Sequence, residues 1–99
     1  MLIVIGTVHV DPSDAVRFAS EIEALAKTTR TRAGCLFYAG ALEDAAAGRM
    51  LVAERWTDQA ALTAHLEAPD VRAFVQRWAT RMRGDVLKFD GANERSLTD

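Results

Sequence analysis

The sequence contains only one cysteine, so no disulfide can form within the chain, and a lone thiol suits a reducing compartment. It also lacks an excess of charge of either sign, because twelve lysine and arginine residues are balanced by fourteen aspartate and glutamate residues. A protein that is steered to nucleic acid or to an anionic membrane needs a basic surface. We therefore expect neither as a partner.

Long hydrophobic runs are missing as well. No stretch approaches the roughly 18 apolar residues of a membrane span. The apolar N-terminal segment lacks the basic region of a secretion signal and soon reaches His9 and Asp11. These features predict a cytoplasmic protein. With 49% hydrophobic and 26% charged residues over 99 positions, the composition is that of one globular domain.

Two kinds of site are also missing from the sequence. There is no glycine-rich loop of the type that binds the phosphates of a nucleotide. Neither His9 nor His65 has a carboxylate or a cysteine at the spacing of a metal site. We therefore predict no metal ion and no nucleotide cofactor.

Hydrophobic periodicity predicts the element order β-α-β-β-α-α-β. The predicted strands cover residues 2–10, 35 to about 42, 50–56 and 85–90, and the predicted helices cover residues 11 to about 29, 57–66 and 69–84. This order predicts a ferredoxin-like α+β domain with a four-stranded antiparallel sheet and helices on one face. We assign residues 1–90 to the domain and the polar residues 91–99 to a tail.

The first strand is apolar on both faces, whereas a strand with one solvated face alternates apolar and polar residues. We therefore expect the domain's own helices to cover one face and a second subunit to cover the other, giving a homodimer. In this interpretation Val4 and Val8 lie in the subunit interface. If the other face, with Ile3 and Ile5, lines a pocket, the hydroxyl of Thr7 is available to a ligand; otherwise this hydroxyl makes a local hydrogen bond.

Four segments together resemble a known family. They are Gly34–Leu36, Glu54–Leu62 with its Glu-Arg-Trp-Thr-Asp motif, Ala64–Pro69 with Ala-His-Leu, and Val71–Phe74. Their order and spacing are similar to those of the antibiotic biosynthesis monooxygenase superfamily, from Ile3 to about Phe89. The resemblance implies a dimeric α+β barrel with one pocket per subunit. It also implies cofactor-free oxidation of quinols or polyketide aromatics by dioxygen, haem degradation, or ligand binding without chemistry, as in stress-associated barrels.

His65 is the strongest functional candidate. Its neighbours on one helical face are Ala61, Leu62 and Leu66, so the imidazole should border an apolar pocket and titrate near neutrality. There it could accept a phenol proton or stabilise an oxyanion. The alternative is a histidine at the rim of the core that makes only a structural hydrogen bond.

The remaining candidates have stronger structural alternatives. Trp56 and Tyr38 could contact an aromatic ligand, and Phe74 and Trp78 could form pocket walls, but each could also be a core residue. Cys35 has no evident base nearby and is interpreted as a small buried residue. Glu54 and Arg55 point to opposite faces of their strand and are interpreted as cross-strand or subunit contacts. The predicted ligand-binding residues are therefore Thr7, Tyr38, Trp56, Phe74 and Trp78.

The haem-degrading branch of the superfamily carries an asparagine, a tryptophan and an axial histidine at positions that fall near Thr7, His65 and Val75. None of the three residues matches. Because valine cannot ligate iron, we predict no haem and no other cofactor. Three functional hypotheses follow: a cofactor-independent monooxygenase that oxidises a small electron-rich aromatic, a non-catalytic barrel that binds a small apolar molecule, and a structural dimer with a collapsed pocket.

Overall fold

A computed structural model describes all residues from Met1 to Asp99. It contains the strands β1 (Leu2–Val10), β2 (Cys35–Asp44), β3 (Arg49–Trp56) and β4 (Met82–Asp90), and the helices α1 (Ala15–Thr29), α2 (Gln59–Glu67) and α3 (Pro69–Trp78). The strands form one antiparallel sheet in the order β2-β3-β1-β4. The predicted α+β ferredoxin-like fold is confirmed. None of the helices combines the length and the apolar character needed to cross a membrane.

Two of the three predicted helix starts carry the expected capping hydrogen bonds. Asp11 accepts a bond from the backbone N–H of Ser13 at 2.9 Å, ahead of a short 3-10 turn that leads into α1. Asp58 accepts a bond from the backbone N–H of Ala61 at 2.9 Å at the start of α2. Such carboxylates satisfy N–H groups that have no partner within the helix. Ala68 is extended, as expected for a residue before proline, so α2 and α3 are separate helices.

The predicted end of the last helix is wrong. Helix α3 ends at Trp78, not at Gly84, and Met82 already belongs to β4, where it pairs with Val10. The apolar spacing of the helix continues through Met82, but pairing with β1 decides the conformation of this segment. The backbone N–H of Arg81 donates to the carbonyl of Trp78 at 2.8 Å in the turn between the two elements.

The helices cover the face of β1 that carries Leu2, Val4, Val8 and Val10. Val4 is 8% exposed and packs in a cluster of buried residues that includes Trp56. The assignment of Val4 and Val8 to a subunit interface is therefore wrong. Alternation separates two apolar faces of β1 in the sequence, but it does not say which face the helices cover.

The opposite face of the sheet is uncovered. It presents large apolar side chains that are each about half exposed or more: Ile5, Phe37, Leu51, Leu87 and Phe89. These five residues, which we call the open face, come from all four strands, and the register places Ile5 directly beside Leu87. Apolar patches formed by several large side chains often mark interaction sites.

Residues 91–99 follow β4 without forming a further helix or strand. The backbone N–H of Gly91 donates to the carbonyl of Met1 at 2.7 Å, and Arg55 forms an ion pair with Glu94 at 2.9 Å. The division into a domain and a tail remains a prediction.

Candidate functional site

A cavity of about 280 Å³ lies between the sheet and the three helices. Twelve of its fifteen lining residues are hydrophobic, so it suits an apolar ligand. The other three are His65, Glu54 and Gly84. Tyr38, which belongs to the hydrophobic majority, adds a phenolic hydroxyl to the lining. The ionisable groups therefore lie in an otherwise apolar space.

His65 lies near the C-terminus of α2 and is only 3% exposed. Its ring packs on Trp56, with 4.8 Å between ring centroids, and against Tyr38, with 5.3 Å and a nearly perpendicular arrangement. Two strands thus hold the imidazole from the sheet side. A side chain held in this way can present one ring nitrogen in a fixed direction.

Arg32, in the loop after α1, fixes the protonation of this imidazole. Its Nη1 lies 3.1 Å from Nδ1 of His65 and 2.8 Å from Oγ1 of Thr29, and its Nη2 binds the carboxylate of Asp70. A guanidinium only donates hydrogen bonds, so Nδ1 must accept. We therefore assign the proton of the neutral ring to Nε2, which becomes a donor.

The electrostatic surroundings favour this neutral form. Burial and then the positive charge of Arg32 lower the pKa of His65 to about 4, although Asp70 acts in the opposite direction. This differs from the near-neutral titration expected from the sequence, which gave no sign that an arginine 33 residues earlier contacts the ring. At neutral pH His65 is a hydrogen-bond donor and not a cation.

The lowered pKa predicts a pH-dependent stability. Below pH 6.5 the unfolded chain protonates its histidine, whereas the folded chain resists until about pH 4, so His65 should remove stability as the pH falls through this window. We expect a loss of up to about 3 kcal/mol. Urea unfolding of wild type and His65→Asn between pH 7 and pH 4 measures it. Asn retains an acceptor for Arg32, and both proteins contain Glu54. The difference between their pH profiles therefore reports the titration of the imidazole. Parallel pH profiles would contradict the assignment.

Glu54 is a buried carboxyl that the sequence interpretation did not recognise as part of the site. It is 9% exposed, lies on β3 opposite Tyr38, and accepts a hydrogen bond from Nε1 of Trp56 at 2.9 Å. Burial raises its pKa, and the bond from Trp56 only partly opposes this. The signal was present in the alternation of β3, because Glu54 shares a face with Met50 and Trp56, which are both completely buried.

The structure brings together only some of the predicted ligand-binding residues. Tyr38 and Phe74 line the cavity with His65, and burial raises the pKa of the Tyr38 phenol, so it stays protonated. Trp56 lies behind His65 and does not line the cavity. Trp78 packs edge-on against Phe18 in the core.

Trp78 and Thr7 do not line the cavity, although both were predicted to bind the ligand. The indole N–H of Trp78 donates to Glu21 at 3.2 Å, outside the cavity. Thr7 pairs with Leu51 and Asp85 on the uncovered side of the sheet, away from the cavity. The reason is the same as for Val4: the helices cover the other face of β1. Val75, where the haem-degrading branch would have its axial histidine, lines the cavity and offers no atom that could ligate iron.

The comparisons with known proteins agree with this architecture. The sequence model of a family described as antibiotic biosynthesis monooxygenase matches residues 1–77. The chain belongs to this family. Among curated proteins, none matches the chain in sequence.

Solved structures of family members have the same fold. A protein from Deinococcus radiodurans, named as a candidate antibiotic biosynthesis monooxygenase, superposes with a TM-score of 0.87 at 21% identity, covering 98% of both chains. An antibiotic biosynthesis monooxygenase superposes with a TM-score of 0.81 at 25% identity, covering 94% of this chain and 100% of its own. A candidate member from Caulobacter crescentus superposes with a TM-score of 0.83 at 22% identity, covering 93% and 90%.

Proposed function

We propose that this member of the antibiotic biosynthesis monooxygenase family is a cofactor-independent monooxygenase. Its substrate would be a small electron-rich aromatic such as a quinol or a polyketide-like phenol, and its oxidant would be dioxygen. The observation that carries the proposal is an apolar cavity lined by both the imidazole of His65 and the buried carboxyl of Glu54. Substrate sites commonly combine apolar walls with a few polar groups that fix orientation.

The polar groups have complementary roles in this proposal. The aromatic rings of the substrate would occupy the apolar part of the cavity, with a hydroxyl directed toward His65 and Glu54. The carboxylate of Glu54, made more basic by burial, would take the hydroxyl proton. Nε2–H of His65 would then stabilise the developing oxyanion. Of the two roles considered for His65, the contact with Arg32 favours oxyanion stabilisation over proton acceptance.

The substrate itself would supply the electrons. Its anion would pass an electron to dioxygen, and the resulting radicals would combine. Overall the substrate gains one oxygen atom and loses two hydrogen atoms, which leave with the second oxygen atom as water. Apolar walls that include Phe74 and Val71 would keep water away from the reactive intermediates. No redox group on the protein is needed, and Cys35 suits the reducing cytoplasm in which we place the activity.

We also propose that the protein is a homodimer that buries the open face. Burying the exposed part of Ile5, Leu51 and Leu87, which is half of each side chain or more, would contribute roughly 1–2 kcal/mol for each. Two such faces packed together should bury more than about 2,000 Å², the range of obligate dimers. The cavity is on the other side of the sheet, so this association leaves it accessible.

Oxygen consumption tests the proposed activity. Protein prepared with a chelator and without added cofactor should accelerate oxygen uptake by at least one of three substrates of increasing size: hydroquinone, 1,4-dihydroxynaphthalene and anthrone, which would react as its phenolic enol tautomer. The uncatalysed oxidation in buffer is the reference. If no substrate reacts faster with protein, the monooxygenase proposal fails. Quenching of tryptophan fluorescence by anthrone under nitrogen would then support the second hypothesis, a barrel that binds an apolar ligand without turnover, because Trp56 packs on His65.

A further inference from the structure

Gly84 is the one glycine of the chain at which an added side chain would meet no neighbouring atom. At every other glycine, an added Cβ would approach a neighbouring atom to 3.0 Å or less. At Gly84 the same Cβ would meet nothing within 4 Å, and its φ is not positive. Neither a close approach nor a left-handed conformation therefore explains the residue.

Glycine is also an unfavourable choice at this position. Gly84 lies within β4, where it pairs with Val8. Glycine weakens a strand, because it loses more conformational freedom on folding and offers no side chain for packing. A β-branched residue would suit such a position better. The fold therefore does not require glycine at this position, and the missing side chain leaves open space.

The open space lies at the rim of the cavity, where Gly84 is itself exposed. Gly84 lines it together with Met82 and Val86, its neighbours on the same face of β4. Other lining residues are Leu66 of α2 and Val75 of α3, which are 54% and 44% exposed. Apolar side chains that both line the cavity and contact solvent mark an opening. Because β4 is an edge strand, this opening lies at the side of the sheet and not within it.

We propose that Gly84 forms the entrance of the cavity and sets the size of the aromatic molecule that the site admits. The inference rests on the proposed function and adds to it the residue that sets the size of the substrate. The missing side chain leaves room for a second and third ring between β4 and the α2–α3 pair, while the hydroxyl end reaches His65 and Glu54. One-ring substrates need no such room.

Two substitutions that add bulk in steps test the proposal: Gly84→Ala and Gly84→Val. Gly84→Val should lower kcat/KM for anthrone at least tenfold, keep kcat/KM for hydroquinone within about threefold of wild type, and leave the melting temperature unchanged or raised. Gly84→Ala should give an intermediate loss for anthrone. Lys88→Val adds a β-branched residue farther along the same face of β4, outside the cavity lining, and should change neither substrate's kinetics.

Binding under nitrogen keeps this test separate from the proposed activity. Anthrone should quench tryptophan fluorescence with an affinity at least tenfold weaker in Gly84→Val than in wild type, whether or not turnover occurs. An unchanged affinity and unchanged kcat/KM for anthrone would overturn the role of Gly84. An equal loss for anthrone and hydroquinone at unchanged stability would also overturn it, because it would show an effect that does not depend on size. If Gly84→Val does not fold, the same criteria apply to Gly84→Ala with a threefold threshold.

Discussion

His65→Asn should lower kcat/KM for the preferred aromatic substrate by about a hundredfold to a thousandfold, the cost typical of removing one donor from a developing oxyanion. The asparagine oxygen takes the place of Nδ1, so the contacts of Arg32 with Thr29, Asp70 and residue 65 can persist. What is lost is the N–H at the Nε2 position. We therefore expect the free energy of unfolding at pH 7 to change by no more than about 1 kcal/mol.

His65→Gln is the matched control, because the glutamine amide places an N–H near the position of Nε2 and no acceptor near Nδ1. It should retain more activity than His65→Asn but lose more stability, since Arg32 loses a partner. The measurement is a pair of assays, oxygen consumption and urea unfolding, on both variants. The structural interpretation of His65 forecasts something else: reduced stability in His65→Gln, with unchanged turnover per folded molecule in both. That outcome would remove His65 from the mechanism.

Ile5→Asp should abolish the dimer. Ile5 lies on the central strand β1 and is 52% exposed in the single chain, so the carboxylate disturbs the monomer little. In the proposed interface it would be buried without a partner, which costs about 3–5 kcal/mol and weakens association by at least two orders of magnitude. Val16→Asp, on the exposed surface of α1, is the matched control and should remain dimeric.

Sedimentation equilibrium at micromolar concentration distinguishes the outcomes for association. A monomeric wild type would contradict the dimer, and a dimeric Ile5→Asp would show that the interface lies elsewhere. Val4→Asp should differ from Ile5→Asp and Val16→Asp, because Val4 packs under the helices against the cluster of Trp56 and Leu62. We expect that variant to lose monomer stability and not only association.

The sequence predicted the elements better than their surroundings. Alternation and capping residues such as Asp58 are local signals, and they predicted β1, β2, β3 and the start of α2 to within two residues, whereas β4 begins three residues before its predicted start. Which face of β1 the helices cover depends on contacts between distant segments. The prediction from sequence therefore placed Val4 on the uncovered face and Thr7 on the cavity face, whereas the structure shows the reverse. The end of α3 failed for a related reason: the helical spacing of Met82 competes with strand pairing to Val10, and only the tertiary structure decides between them.

The candidate site shows the same limit. His65 and Phe74 could be selected because an apolar helical face predicts a neighbouring pocket or core. Arg32 could not, because nothing in the sequence connects a loop after α1 to a ring in α2. Glu54 could have been found, because it shares a strand face with Met50 and Trp56. That inference requires assuming that a carboxyl is buried before the residues around it are known.

Oxygen-isotope labelling tests the central claim, cofactor-independent monooxygenation, most directly. The protein, treated with chelator, is given the best aromatic substrate under ¹⁸O₂ in ordinary water, and the product is analysed by mass spectrometry. The account predicts one ¹⁸O atom per product molecule, formed faster than without protein and much more slowly with His65→Asn. In H₂¹⁸O under ordinary dioxygen the product should carry no label from catalysis. Product formation that does not depend on the protein, or oxygen derived from water, would contradict the account.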